Sequence, residues 1–161
     1  MRKIPETLNE EELKRILDVV KNPKHKLAFA LGFYEGLRVS EVVNLLPEHI
    51  DRGRKLIMIK QGKGNKDRNI PIAREVVAGL KYLPVGVGVR ALQISFKRYC
   101  ELVLKRDMHF HCLRHSSATH YMNKKGWSTR QVQTFLGHSR ITTTEIYTHV
   151  NPQDLIDLMW D

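Results

Sequence analysis

Lys55-Leu56-Ile57-Met58-Ile59-Lys60-Gln61-Gly62-Lys63-Gly64-Asn65-Lys66-Asp67-Arg68-Asn69-Ile70-Pro71-Ile72 is the stretch that departs from the rest of the chain. Two short runs, Lys55 to Lys60 and Arg68 to Ile72, flank a link rich in glycine and charge. Branched apolar residues in short runs bounded by turn residues favour strands, so the pattern predicts a hairpin with a basic tip. A third short strand around Glu48 to Asp51, before the turn Arg52-Gly53, completes a small antiparallel sheet.

On either side the periodicity is helical. Asn9 followed by Glu10, Glu11 and Glu12 reads as an N-cap with acids in the first turn, and Leu13, Ile16, Leu17 and Val20 recur at helical spacing up to about Lys21. Asn22-Pro23 restarts the chain into a largely apolar helix with Leu27, Phe29, Ala30, Leu31 and Phe33, ending near Gly36; it is expected at the centre. Ser40 is placed to cap a short helix through Leu45 and Leu46, which Pro47 stops. Further helices are expected over Ala73 to Tyr82, Arg90 to Lys105, His111 to Lys125, Thr129 to Leu136, Thr142 to Val150 and Pro152 to Trp160. The fold class is therefore mainly α with a small three-stranded antiparallel sheet.

The 161 residues suit one domain with one core. Twenty-seven basic against 17 acidic residues leave a charge of +10, while 42% apolar content is that of a folded protein. Such a surplus seeks a polyanion, and charge alone leaves nucleic acid and an anionic membrane surface both open. No run of 18 or more apolar residues and no signal peptide is found, so a cytoplasmic protein is expected. Cys100 and Cys112 have no C-x-x-C spacing and read as reduced packing residues.

Six residues stand out as chemistry: Arg38, Lys63, His111, Arg114, His138 and Tyr147. A phosphodiester attacked by a side-chain oxygen gathers negative charge on its nonbridging oxygens. Arg38 and Arg114 suit that charge, because a guanidinium offers planar paired donors and stays charged at working pH. His111 and Arg114 are three apart on one predicted helix, so both leave the same face.

The stretches Glu35-Gly36-Leu37-Arg38-Val39-Ser40-Glu41, Gly62-Lys63-Gly64-Asn65-Lys66-Asp67-Arg68, His111-Cys112-Leu113-Arg114-His115, Leu136-Gly137-His138-Ser139 and Tyr147-Thr148-His149-Val150 together resemble the tyrosine recombinase family, the lambda-integrase-like site-specific recombinases. The likeness is greatest to the Xer-type and archaeal integrase branches and covers nearly the whole chain. It implies the recombinase catalytic-domain fold and DNA cleavage through a 3′-phosphotyrosyl intermediate, with Tyr147 as nucleophile and His111 as its base. It also implies Lys63 as proton donor to the leaving 5′-oxygen, His138 on the phosphate and Glu41 as a supporting acid. Lys60, Lys66 and Arg68 read as DNA-backbone contacts, with Lys97, Arg98, Lys105 and Arg106 as further basic residues. Double-stranded DNA is the implied partner, with self-association into a tetramer on it, and no cofactor, metal, nucleotide or membrane.

Singly, each of the six has an ordinary reading as a surface ion pair, a half-buried aromatic or a solvated turn residue; jointly, the dispersed motifs outweigh it. His111 and His115, four apart, have zinc-ligand spacing, but no H-E-x-x-H glutamate intervenes, and His115 reads as a packing or supporting residue. Gly86-Val87-Gly88 lacks the third glycine of a nucleotide loop. Relaxation of supercoils by the same chemistry is the alternative within enzymes, and a noncatalytic DNA-binding module is the alternative outside them. Residues 1–161 are expected to form a single catalytic domain without the N-terminal helical clamp common in the family. The apolar stripe Leu155, Ile156, Leu158, Met159 and Trp160 must dock, either on its own domain or on a neighbouring subunit.

Overall fold

The computed structural model describes residues 6–60, 67–137 and 152–160. Helix α1 (Glu10–Val19) opens on a reciprocal cap: Asn9 Oδ1 accepts the Glu12 N–H at 2.8 Å, and Glu12 Oε1 accepts the Asn9 N–H at 3.0 Å. Its Leu13 and Ile16 are fully buried. Helix α2 (Pro23–Tyr34) starts on Asn22, with Pro23 at its first position, and is buried from Leu27 to Tyr34. An apolar helix without a polar face belongs in the middle. It contacts α3 (Val39–Asn44), α4 (Arg74–Val77), α5 (Val89–Leu104) and α6 (His111–Asn123).

Helix α3 departs from expectation at its start. Arg38 takes the N-cap position, its N–H held at 2.9 Å by Glu41 Oε1, so Ser40 lies inside the first turn. The helix starts two residues earlier than a Ser40 cap would place it, and the Glu41 side chain reaches back three residues to the Arg38 N–H.

The three strands β1 (Ile50–Asp51), β2 (Leu56–Ile59) and β3 (Arg68–Pro71) form an antiparallel sheet in chain order. Ile50 pairs with Ile57, and β2 pairs with β3 through Ile57–Ile70 and Ile59–Arg68. Ile57, Ile59, Ile70 and Ile72 join the common core. The first strand is shorter than expected because Pro47–His49 form a 3-10 turn before it. Lys60 and Asp67, both exposed, pair at 3.2 Å across the neck of the hairpin.

The helix expected over Ala73 to Tyr82 is broken into the four-residue α4 and a 3-10 turn at Leu80–Tyr82. Gly79 between them is a poor helix residue, and its Cα packs on Leu27 of α2, where a β-carbon would lie 3.0 Å from Leu27 Cδ1. Helices α5 and α6 end one or two residues early, α5 because Lys105 turns left-handed at φ 58°. Helix α7 (Thr129–Leu136), capped by Ser128, and α8 (Pro152–Trp160) match expectation; the helix expected over Thr142 to Val150 lies outside the described residues.

Aromatic side chains fill the gaps between helices. Phe29, Phe96 and Phe110 meet edge to face, and Tyr121 stacks on Trp127 at 4.4 Å beside Phe135. Both cysteines are free and buried, and burial pushes the Cys100 thiol up to about 12. Among the described residues no helix is long and apolar enough to cross a membrane.

The apolar stripe of α8 docks on its own chain. Leu155 and Ile156 are buried, and α8 lies along β3. Trp160 Nε1 donates to the Ile72 carbonyl at 2.9 Å, and Met159 Sδ lies 3.3 Å from the Tyr121 hydroxyl oxygen. The Lys55 ammonium sits 4.0 Å and the Arg74 guanidinium 4.7 Å from the centre of the Trp160 ring, and Arg74 also donates to the Trp160 carbonyl. Replacing Trp160 by alanine is expected to lower the opening free energy of α8 by about 2 kcal/mol, read as faster amide exchange in α8 with α2 unchanged.

Candidate active site

Arg114 is 3% exposed, yet carries a guanidinium. It is held at both ends of its fork: Nη1 donates to the Gly36 carbonyl at 2.8 Å and Nη2 to the Leu136 carbonyl at 2.7 Å. Leu136 is the last residue of α7 and Gly36 follows α2, so both acceptors lie at helix C-terminal ends, where a cation is favoured. One side chain of α6 thus stitches together the turns that leave α2 and α7. A guanidinium has five N–H donors, and these two bonds leave others for an anion.

The turn after α2 is shaped for this contact. Gly36 has φ +64°, and a β-carbon there would lie 2.2 Å from Leu136 Cδ2, so neither the backbone nor the space admits a side chain. Arg38, two residues on, begins α3 with a side chain 40% exposed, and its Nη1 lies 3.7 Å from Glu41 Oε2.

Glu41 holds a second guanidinium more tightly. Arg68 Nη1 donates to Oε2 at 2.8 Å and Nη2 to Oε1 at 3.3 Å, with side-chain exposures of 12% and 5% for the pair. Arg68 Nε also donates to the Phe135 carbonyl at 3.4 Å. Arg68, expected on the DNA backbone, therefore turns inward as the ion-pair partner of Glu41. It packs across Gly137, which has φ +68° and where a β-carbon would lie 2.7 Å from Arg68 Cδ.

Three guanidiniums around one carboxylate leave an excess of positive charge. Burial first, then Arg38 and Arg68, bring the Arg114 pKa down to about 10 against the opposing pull of Glu41. An anion placed here relieves that repulsion. His111, the first residue of α6, is pushed below its ordinary value by burial, then by His115, Arg114 and Arg38. His115 stands perpendicular to it with ring centres 4.6 Å apart, and its own value is lowered by burial and Arg114. A neutral His111 at neutral pH has a ring nitrogen able to accept a proton.

The structure thus brings Arg38, Glu41, Arg68, His111 and Arg114 together at the ends of α2, α3, α6 and α7 and the start of β3. Lys60 lies at the hairpin neck, apart from this cluster's hydrogen bonds, in its pair with Asp67. Lys63, Lys66, His138 and Tyr147 lie outside the described residues. Sequence reading missed the inward role of Arg68 and the packing of Gly137 against it. The signal lay in the alternation of β3, which puts Arg68 on the same face as the buried Ile70.

The phage integrase family pattern matches residues 6–85 and 87–154. The chain is 37% identical to the tyrosine recombinase XerA of Thermococcus kodakarensis over 174 residues, covering 96% of this chain and 61% of that protein. A tyrosine recombinase of Thermosipho africanus is 33% identical, over 97% of this chain and 61% of its own length. The chain therefore spans about three-fifths of the length of these curated relatives. Among solved structures, an integrase from mycobacterium phage Brujita superposes with a TM-score of 0.83 at 25% identity, covering 99% of this chain and 58% of that one. A XerH site-specific recombinase bound to its difH substrate gives a TM-score of 0.71 at 25% identity, over 99% of this chain and 54% of that one.

Removing the carboxylate from this arrangement leaves Arg68 buried beside two other cations. Glu41→Ala is expected to cost about 3 kcal/mol of stability, measured by urea unfolding at pH 7.

Proposed function

Because the chain belongs to the phage integrase family, the tyrosine recombinases, we propose that it breaks and rejoins DNA strands in site-specific recombination, with Tyr147 as the nucleophile. The observation that carries this reading is the anion-seeking pair Arg38 and Arg114, set beside a neutral His111. DNA is the anion that the +10 charge of the whole chain would attract. The solved complex of XerH on its substrate supports the same partner by likeness.

The reaction divides among the residues as follows. The Tyr147 oxygen attacks a backbone phosphorus, forming a tyrosyl–phosphate bond at the 3′ side as the bond to the 5′-oxygen breaks. His111 takes the phenolic proton, and the Lys63 ammonium gives one to the departing 5′-oxygen. Arg38, Arg114 and His138 bind the nonbridging oxygens as charge accumulates there. Glu41 and Arg68 hold the start of α3 and the end of α7 in place, so that the phosphate-binding groups meet a fixed geometry. One phosphodiester is exchanged for another, and a 5′-hydroxyl reverses the step on the same or a different strand. Double-stranded DNA is the substrate, with further copies of the chain assembling on it as a tetramer, in the cytoplasm where that DNA lies.

Supercoiled plasmid incubated with the protein in EDTA and stopped with SDS is expected to yield relaxed and protein-linked DNA, with the linked nucleotide on Tyr147 by mass spectrometry. Tyr147→Phe abolishes the link while sparing binding; a link that persists in that variant rejects the nucleophile. Arg38→Lys lowers link formation by about a hundredfold, since one paired donor set is lost. His111 must be neutral to accept the proton, so activity falls on acidification. With its value lowered by burial and neighbouring cations, that fall lies below the ordinary imidazole midpoint of about 6.5, and His111→Gln removes it.

A further inference from the structure

Glu35, the residue after α2, is fully buried. Its Oε1 accepts the backbone N–H of Ala73, which enters α4, and among the described residues its Oε2 has no hydrogen-bond partner. An ionised carboxylate needs several donors when water is excluded, and a single amide does not supply them. The neutral acid loses far less in the same place.

The segment Glu35 begins is anchored at nearly every residue. The Tyr34 carbonyl accepts the Tyr121 hydroxyl from α6 at 2.6 Å. Glu35 itself is tied to α4, the Gly36 carbonyl to Arg114, and the Arg38 N–H to Glu41. Residues 35–38 therefore connect the buried acid to both phosphate-binding arginines.

We infer that Glu35 is a positioning residue of the strand-cleavage site: as a neutral acid it locks the turn that presents Arg38 and anchors Arg114, and its ionisation releases that turn. The inference rests on the strand-cleavage reading above. The titratable groups facing Glu35 are Glu75 on α4 and Tyr121 on α6. Arg74, next to Ala73, carries its guanidinium away to the Trp160 carbonyl. Burial raises Glu35 well above the carboxylate range, the Ala73 amide opposes it, and Glu75 adds to it. A raised value in the folded chain means that the neutral form's stability is complete below the unfolded value of about 4.3 and is lost as pH rises through the folded value.

Wild type, E35Q and E35A are compared as the full chain between pH 6.5 and 10. E35Q keeps an acceptor for the Ala73 amide and cannot ionise. Above the wild-type midpoint, the ratio of E35Q to wild-type rates of DNA-link formation on plasmid is expected to grow about tenfold per pH unit, since the neutral fraction falls by that factor. E35A loses link formation even at pH 7, and E35Q restores it. In the free protein, the Glu35 Cδ and Gly36 carbonyl carbon resonances of wild type titrate together while circular dichroism stays constant, and E35Q removes the Gly36 titration. The inference is overturned if Glu35 titrates and Gly36 does not follow, or if the wild-type urea midpoint does not fall relative to E35Q as pH rises. If no variant links DNA at any pH, the strand-cleavage reading fails, while the two carbon resonances still decide whether Glu35 governs the turn.

Discussion

A guanidinium removed from water must find fixed acceptors, and in this chain Arg114 finds them in the carbonyls of Gly36 and Leu136. Each carbonyl ends a different helix, so the charge can be buried only if α2, α6 and α7 converge at one point. The packing of the three helices and the placement of the cation are then one condition. The apolar face of α7, with Val132, Phe135 and Leu136 buried, supplies the driving force that brings its end to the site. Arg114 converts that packing into a position defined to within a hydrogen bond.

Around Arg114 the charges are arranged in two layers. Glu41 and Arg68 form a nearly dry pair that ties α3, β3 and the end of α7, and Arg38 stands at the open side. A buried pair contributes little net stability against an apolar substitute, but it fixes register, since its bonds form in only one arrangement. The inner pair thus orders the elements that carry the groups facing solvent. The resulting surplus of positive charge sits on a framework that does not have to reorganise when an anion arrives.

Much of this architecture was legible in the residues. Helix α7 spans the residues expected of it, Thr129 to Leu136, and β2 and β3 follow from their branched apolar runs. What was not legible depended on contacts across the chain. The helix expected over Ala73 to Tyr82 broke where Gly79 meets Leu27, a pairing that periodicity within one segment cannot register. Helix α3 begins from an N-cap at Arg38 rather than at Ser40, because the Glu41 carboxylate, also held by Arg68, takes the Arg38 N–H. At the site, Arg38, His111 and Arg114, named from their motifs, lie together in the structure, whereas the pairing of Arg68 with Glu41 was not legible, since composition does not say which way a guanidinium turns. Glu35 went unremarked because an acid at a helix end reads as solvated until burial is known.

The burial of both thiols has a practical consequence. Cys100 and Cys112 lie within the core, and the Cys100 sulfur is held as an unreactive thiol at neutral pH. In the native state an alkylating reagent meets a fully buried Cys100 and a nearly buried Cys112, so a cysteine introduced on the surface reacts ahead of both. The same concealment makes the two native sulfurs a clock: the rate at which they become modified reports how often α5 and the start of α6 part from the core.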